Sequence, residues 1–147
     1  MKILGRPARF ALLATLDVAL HARGRPVSSK ELAARHDLPP RRLEALLQAL
    51  VRAGVLRSLR GPAGGYELAR ERRRICVGEI VRIALRHDDD ETSASPAGLD
   101  ALVDPLLERA EEHALACLDE VTLDELCTRA ATLDMRRSTN APGDFTI

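Results

Sequence analysis

Apolar residues recur at helical spacing over most of the chain and alternate strand-like only once. In the first segment, Phe10, Leu13, Leu16 (or Val18, beside Asp17) and Leu20 give one apolar face, predicting a helix over about 7–21 that Gly24 ends. Ser28 followed by Glu31 is a capping-box pair, with Val27 placed for a hydrophobic staple, so a second helix is predicted over 29–36. The turn "DLPP" follows, and Pro40 suits the first turn of a third helix. There Leu43, Leu46, Leu47, Leu50 and Val51 fall at i, i+3, i+4, i+7 and i+8, and Gly54 closes the helix. Two short helices joined by a tight turn make a helix-turn-helix. Off the core stripe of the third helix lie Arg41, Arg42, Glu44, Ala45, Gln48 and Arg52.

"VLRSLRGPAGGYELAR" then reads as strand, Gly-rich turn, strand, with Tyr66, Leu68 and Arg70 alternating after the turn. A hairpin directly after a helix-turn-helix is a wing. A fourth helix is predicted over 77–85, with Ile80, Val81 and Ala84 inward. The polar stretch 86–98 reads as a linker loop. Beyond it, Asp104–Pro105 marks a helix start or a kink. Leu106, Ala110, His113 and Cys117 step by 4, 3 and 4, a seam like that of a coiled coil. Thr122 caps a last helix to about Leu133, and 134–147 reads as a flexible tail. The expectation is a mainly α chain. A winged helix-turn-helix domain spans 1–85, a linker 86–98, a helical dimerisation region 99–133 and a tail 134–147.

Composition supports helices, because Phe10, Tyr66 and Phe145 are the only aromatic residues and the core must be aliphatic. Charge changes the picture more. The net charge is zero, yet residues 1–86 hold 18 Lys and Arg against 7 Asp and Glu, and residues 87–147 hold 4 against 15. A basic half beside an acidic half points to a polyanion partner for the basic one. Three scattered cysteines, Cys76, Cys117 and Cys127, do not make a disulfide framework. The N-terminus has the outline of a secretory signal, but Asp17 interrupts its apolar stretch, so it reads as the first helix of a cytoplasmic protein. No apolar run is long enough to span a membrane.

Gly-rich loops often hold phosphates, so "RGPAGGY" poses the question of whose. A nucleotide-binding P-loop needs Lys and Ser or Thr directly after its last glycine, and here Tyr66 and Glu67 follow Gly65. A dinucleotide fingerprint needs a strand before it and a helix after it, whereas this loop joins two strands. Neither a Ser/His/Asp arrangement nor a carboxylate pair stands out, and "DDDE" at 88–91 reads as a solvated acidic loop. The chain is therefore not read as an enzyme. Double-stranded DNA fits better. Arg60 at the wing tip suits a narrow minor groove. Gly61, Gly64 and Gly65 would let the backbone approach phosphates without a Cβ. Arg41, Arg42, Arg57 and Arg70 would supply salt-dependent phosphate contacts. Glu44 can accept from cytosine and Gln48 can pair with adenine.

With these residues in view, "ARFALLATLDVALHA", the stretch from "PVSSKELAARHDLPP" through "RGPAGGYELAR", and "CVGEIVRIAL" resemble the Rrf-two family of bacterial winged-helix transcription regulators. The resemblance is strongest over residues 3–85 and present again in "CLDEVTLDEL". It implies a homodimer joined through the long helix after the loop, acting on a palindromic operator, as a repressor. It also implies Arg60 as the wing arginine of the minor groove and Glu44 as a recognition-helix glutamate reading cytosine. Many members hold an iron–sulfur cluster on three cysteines before the dimer helix. This chain has no cysteine between Cys76 and Cys117, and Ala101 and Asp104 stand near where a cysteine and a histidine ligand would be. The expectation is a regulator without the usual cluster and without a bound metal. Alternatives stay open: an atypical metal or cluster site from His113, Cys117 and Cys127, a thiol redox sensor that includes Cys76, or a small ligand or protein co-regulator. A further alternative is a winged-helix protein-interaction module.

Overall fold

The structure, a computed structural model, describes residues 5–89 and 98–139. Its elements run α1 Arg6–His21, α2 Ser29–His36, α3 Pro40–Arg52, β1 Leu56–Leu59, β2 Gly65–Leu68, a 3-10 turn Arg72–Arg74, α4 Val77–Asp89, α5 Asp100–Asp119 and α6 Leu123–Thr139. This is a winged helix-turn-helix with two further helices.

Local chemistry sets the boundaries. At the start of α2 the capping box is complete: the Glu31 amide donates to Ser28 Oγ at 3.2 Å, and the Ser28 amide donates to Glu31 Oε2 at 2.9 Å. α2 ends on Asp37, whose left-handed backbone (φ 51°) turns the chain into α3. Val27 and Leu32 are both buried in the same core, as a staple requires. β1 and β2 pair antiparallel in the register Leu56–Leu68, Arg57–Glu67, Ser58–Tyr66, Leu59–Gly65. Val27 adds a bridge the sequence did not announce: its amide donates to the Tyr66 carbonyl at 2.9 Å and receives the Tyr66 amide on its own carbonyl at 2.7 Å.

The main core joins Ala11, Ala14 and Val18 of α1 to Leu32, the α3 stripe, Val55, Leu56, Tyr66, Ile75 and Ile80. Each fully buried Leu or Ile there contributes about 1.5–3 kcal/mol relative to exposure. The face of α1 differs from the expectation. Ala8, Ala11, Ala14, Thr15, Asp17 and Val18 are buried, while Phe10, Leu13, Leu16 and Leu20 are only partly so. α1 packs along α4, and short side chains on that face let the helices sit close, leaving the larger residues to fill the flanks.

The C-terminal elements also depart from the expected divisions. α4 continues through Asp89, so the linker read at 86–98 begins in helix; residues 90–97 lie outside the described residues. α5 starts at Asp100, before the Asp104–Pro105 pair, and holds Pro105 inside it. Pro105 therefore forfeits one intrahelical bond. α6 does not stop at Leu133 but runs to Thr139, overlapping the segment read as tail; the rest of that segment lies outside the described residues. Nor is the C-terminal region a separate unit, since Leu123 and Cys127 of α6 complete the main core. A bridge between Cys76 and Thr122 fixes them, with the Leu123 amide on the Ile75 carbonyl and the Val77 amide on the Val121 carbonyl, each at 2.8 Å. A second small core, Ala8, Val77, Val81, Leu85 and Leu115, seats α5 on α4 and α1. Arg82 clamps the same junction by gripping Asp119 at 2.5 and 2.8 Å, and this holds the Asp119 carboxyl below its ordinary range.

Candidate nucleic-acid interface

α3 has a fully segregated cross-section. Leu43, Leu46, Leu47, Ala49 and Leu50 are buried, and Arg41, Arg42, Glu44, Ala45, Gln48 and Arg52 are exposed. Among the described residues, no hydrogen bond or ion pair engages the side chains of Arg41, Arg42, Glu44 or Arg52. Gln48 is the exception: its Nε2 donates to the Tyr66 hydroxyl at 3.3 Å. Because Tyr66 is buried at the root of β2, this bond ties the exposed face of α3 to the wing.

The wing turn spans residues 60–64, with Arg60 exposed and without a partner among the described residues. Arg57 pairs with Glu67, its cross-strand neighbour, so its charge is part-neutralised within the hairpin. Arg70 belongs to the wing base, where it pairs with Glu79 and donates to the Gly54 carbonyl at 3.1 Å and the Arg74 carbonyl at 3.3 Å. The glycines also have a role beyond the one expected. A Cβ on Gly64 would stand 2.3 Å from the Leu59 carbonyl oxygen, and one on Gly65 would stand 2.4 Å from the Val27 carbonyl oxygen. Their clearance serves the chain's own backbone. Gly61, at φ +115° with open space around it, fits the turn through its backbone conformation.

One polar cluster escaped the sequence reading. Asp17, noted only as an interruption, is 3% exposed. Its carboxylate accepts from Arg35 Nε at 2.9 Å and Nη2 at 2.7 Å, from His36 Nε2 at 2.6 Å and from His21 Nδ1 at 3.1 Å. It staples α1 to the end of α2, the first helix of the helix-turn-helix. The signal was available in an acidic residue on an apolar helix, a histidine four residues on, and an Arg-His pair closing the next helix.

The thiols are dispersed. Cys76 is half-buried with its Sγ 3.6 Å from Asp119 Oδ1, Cys117 is exposed, and Cys127 is buried, which pushes its thiol pKa up. His113 Nδ1 donates to the Arg109 carbonyl at 2.8 Å. Among the described residues, no group of three or more His, Cys, Asp or Glu is placed to hold a metal ion.

α5 has two faces. Leu115 is buried and Leu118 half-buried against the body. On the opposite side Leu99, Val103, Leu106, Ala110, His113 and Cys117 are exposed and step by 4, 3, 4, 3 and 4, so the seam read from Leu106 onward extends back to Leu99. Leu102 at 73% exposure and Leu106 at 67% stand well out of the surface. Among the described residues, no helix is long and apolar enough to cross a membrane.

A model of the Rrf2 family, described as iron-dependent transcriptional regulators, matches residues 4–129. The HTH-type transcriptional regulator IscR of Xenorhabdus nematophila is 33% identical over 132 residues, covering 86% of this chain and 80% of that protein. Among solved structures, T. potens IscR superposes with a TM-score of 0.66 at 29% identity, covering 95% of this chain and 93% of the other. CymR of Staphylococcus aureus in its oxidized form does so at 0.64 and 29%, covering 86% and 96%.

Proposed function

The chain belongs to the Rrf2 family of transcription regulators, and from that premise we propose that it binds a palindromic operator as a homodimeric repressor in the cytoplasm. In this reading α3 enters the major groove, with Glu44 and Gln48 at base edges, and Arg60 of the wing enters the adjacent minor groove. Arg41, Arg42 and Arg57 contact phosphates, and Gly61, Gly64 and Gly65 shape the turn that presents Arg60. The observation that carries the reading is the Gln48–Tyr66 hydrogen bond, which couples the exposed face of α3 to the wing. The unpaired arginines on both elements supply the charge. The exposed seam of α5 supports the homodimer, since a second copy would cover it.

The regulator works without the conventional iron–sulfur cluster and without a metal on His113, Cys117 or Cys127. What supports this is the lack of any cysteine between Cys76 and Cys117 together with the dispersal of the three thiols. Anaerobically purified protein is expected to be colourless and iron-free, and a brown preparation with iron near one cluster per chain overturns that part. The DNA reading is tested by filter binding to the protein's own promoter. Affinity should fall steeply with salt, and loss of the gene should raise the adjoining transcript. Binding that ignores both salt and Arg60→Ala would point instead to a protein-docking module.

A further inference from the structure

The first turns of α1, the first turns of α3 and the last turn of α4 diverge around a cavity of about 300 Å³. Pro7, Phe10, Ala45 and Leu46 give it an apolar lining, and Arg41 and Arg42 line it as well. We propose that this cavity binds a small apolar monocarboxylate, and that the ligand competes with DNA phosphate for Arg41 and Arg42. The competition rests on the DNA-binding reading; the cavity itself does not.

Size, charge and polarity each restrict the ligand. A volume of 300 Å³ is at the lower end for small-molecule sites. At about 30 Å³ per water-sized unit it admits a body of roughly ten non-hydrogen atoms. The lining calls for a branched or aromatic hydrocarbon body. Arg41 and Arg42 have no anionic partner among the described residues, and no side chain caps the N-terminus of α3, where both reside. A carboxylate there meets two fork-shaped donors and the positive end of a helix. His87 and Asp88 of α4 also line the cavity. Asp88, which already has an interaction of its own, adds negative charge beside the site and disfavours a second charge on the ligand, which selects monoanions over dicarboxylates and phosphates. Because the same two arginines are the proposed phosphate contacts at the start of the recognition helix, a bound carboxylate and a DNA backbone cannot both use them.

Hydrocinnamate and isocaproate are the probes, with hydrocinnamide as the neutral control, titrated into the full-length protein carrying ¹³C-labelled alanine methyls. The Ala45 methyl should shift and saturate with both acids, while that of the core residue Ala14 stays in place. The amide should bind about tenfold more weakly, one charge-assisted contact's worth. Arg41→Gln should weaken the acids similarly, and Arg41→Lys should restore part of the loss. Promoter DNA affinity should then fall several-fold at saturating hydrocinnamate but not at matched chloride. No Ala45 shift with either acid, equal affinity for acid and amide, or DNA affinity unmoved at saturation each overturns the proposal. The arms separate the two readings. Protein that binds no DNA at all sinks the operator reading while the methyl titration still judges the cavity, and sound DNA binding without an Ala45 shift sinks the cavity alone.

Discussion

A carboxylate as buried as Asp17 is stable only if its charge is met, and two donors from Arg35 and one each from His36 and His21 meet it. Its removal therefore does two things: it strips α2 of its tie to α1, and it leaves cations without a partner. Arg35 is partly exposed and can turn to water, which limits the penalty. Asp17→Ala is expected to cost about 2–4 kcal/mol, read as a lower urea midpoint, with Asp17→Asn losing less. The exposed residues behave differently because they hold up nothing. Arg60→Ala should leave the urea midpoint in place, reduce the slope of log affinity against log salt by about 1, and weaken binding most where the minor groove is narrow. Glu44→Ala should instead relax discrimination at one base pair, by about 1–3 kcal/mol. A binding matrix measured over operator variants separates the two behaviours. Sequence alone exposed Glu44 because it falls off the apolar stripe of α3, and Arg60 because it opens a Gly-rich turn. It showed the members of the Asp17 cluster only as scattered residues, because burial of a charge depends on partners that only folding brings together.

At the scale of elements, α2, α3 and the wing were legible because their signals are local. A capping box, a five-residue apolar stripe and a Gly-rich turn each act within a few residues of themselves. α1 was legible as a helix but not in its facing, since its buried side was chosen by close packing on α4 rather than by the largest side chains. The end of α6 was misread because Ser and Thr weaken a helix without ending it. The capping box carries a prediction of its own. The Ser28 amide, and then Arg25, lower the Glu31 pKa from 4.5 to about 2. A depressed carboxyl contributes stability above pH 4.5, and that contribution drains away as pH falls toward about 2. Glu31→Gln should therefore flatten the acid limb of the stability curve across that window, as read from urea midpoints. The wing glycines give a second. If Gly64 and Gly65 served only DNA clearance, alanine there would cost binding and spare the fold. Since the added methyl would instead strike the Leu59 and Val27 carbonyls, Gly64→Ala and Gly65→Ala should each destabilise the free protein by about 1–3 kcal/mol in thermal unfolding without DNA.

For the whole molecule, the decisive facts are the division of charge and the face of α5 that the body leaves uncovered. The acidic half is bound to the basic half through the Arg82–Asp119 and Arg72–Asp124 pairs and through Leu123 and Cys127 in the core. It is therefore packed onto the helix-turn-helix and is not an independent appendage. Leu99 at the N-cap of α5 and Leu102, Val103, Leu106 and Leu107 on its first half form an exposed apolar patch. Scattered single apolar residues are ordinary on a surface, but a patch on heptad spacing marks an interface. A 20-residue helix is roughly 30 Å long, sufficient for two copies to pair along it. An isologous pair would also set two recognition helices about one twofold axis, which is what a palindrome demands. The double variant Leu102→Gln, Leu106→Gln should keep the helical circular dichroism, since neither side chain is buried in the monomer. It should sediment as a monomer at concentrations where the unaltered chain sediments as a dimer. Operator affinity should fall by about 10²-fold or more, because each half-site must then be held without the effective concentration its partner provides. Should the unaltered chain itself sediment as a monomer with undiminished operator affinity, α5 serves a different partner and the palindrome requirement goes with it.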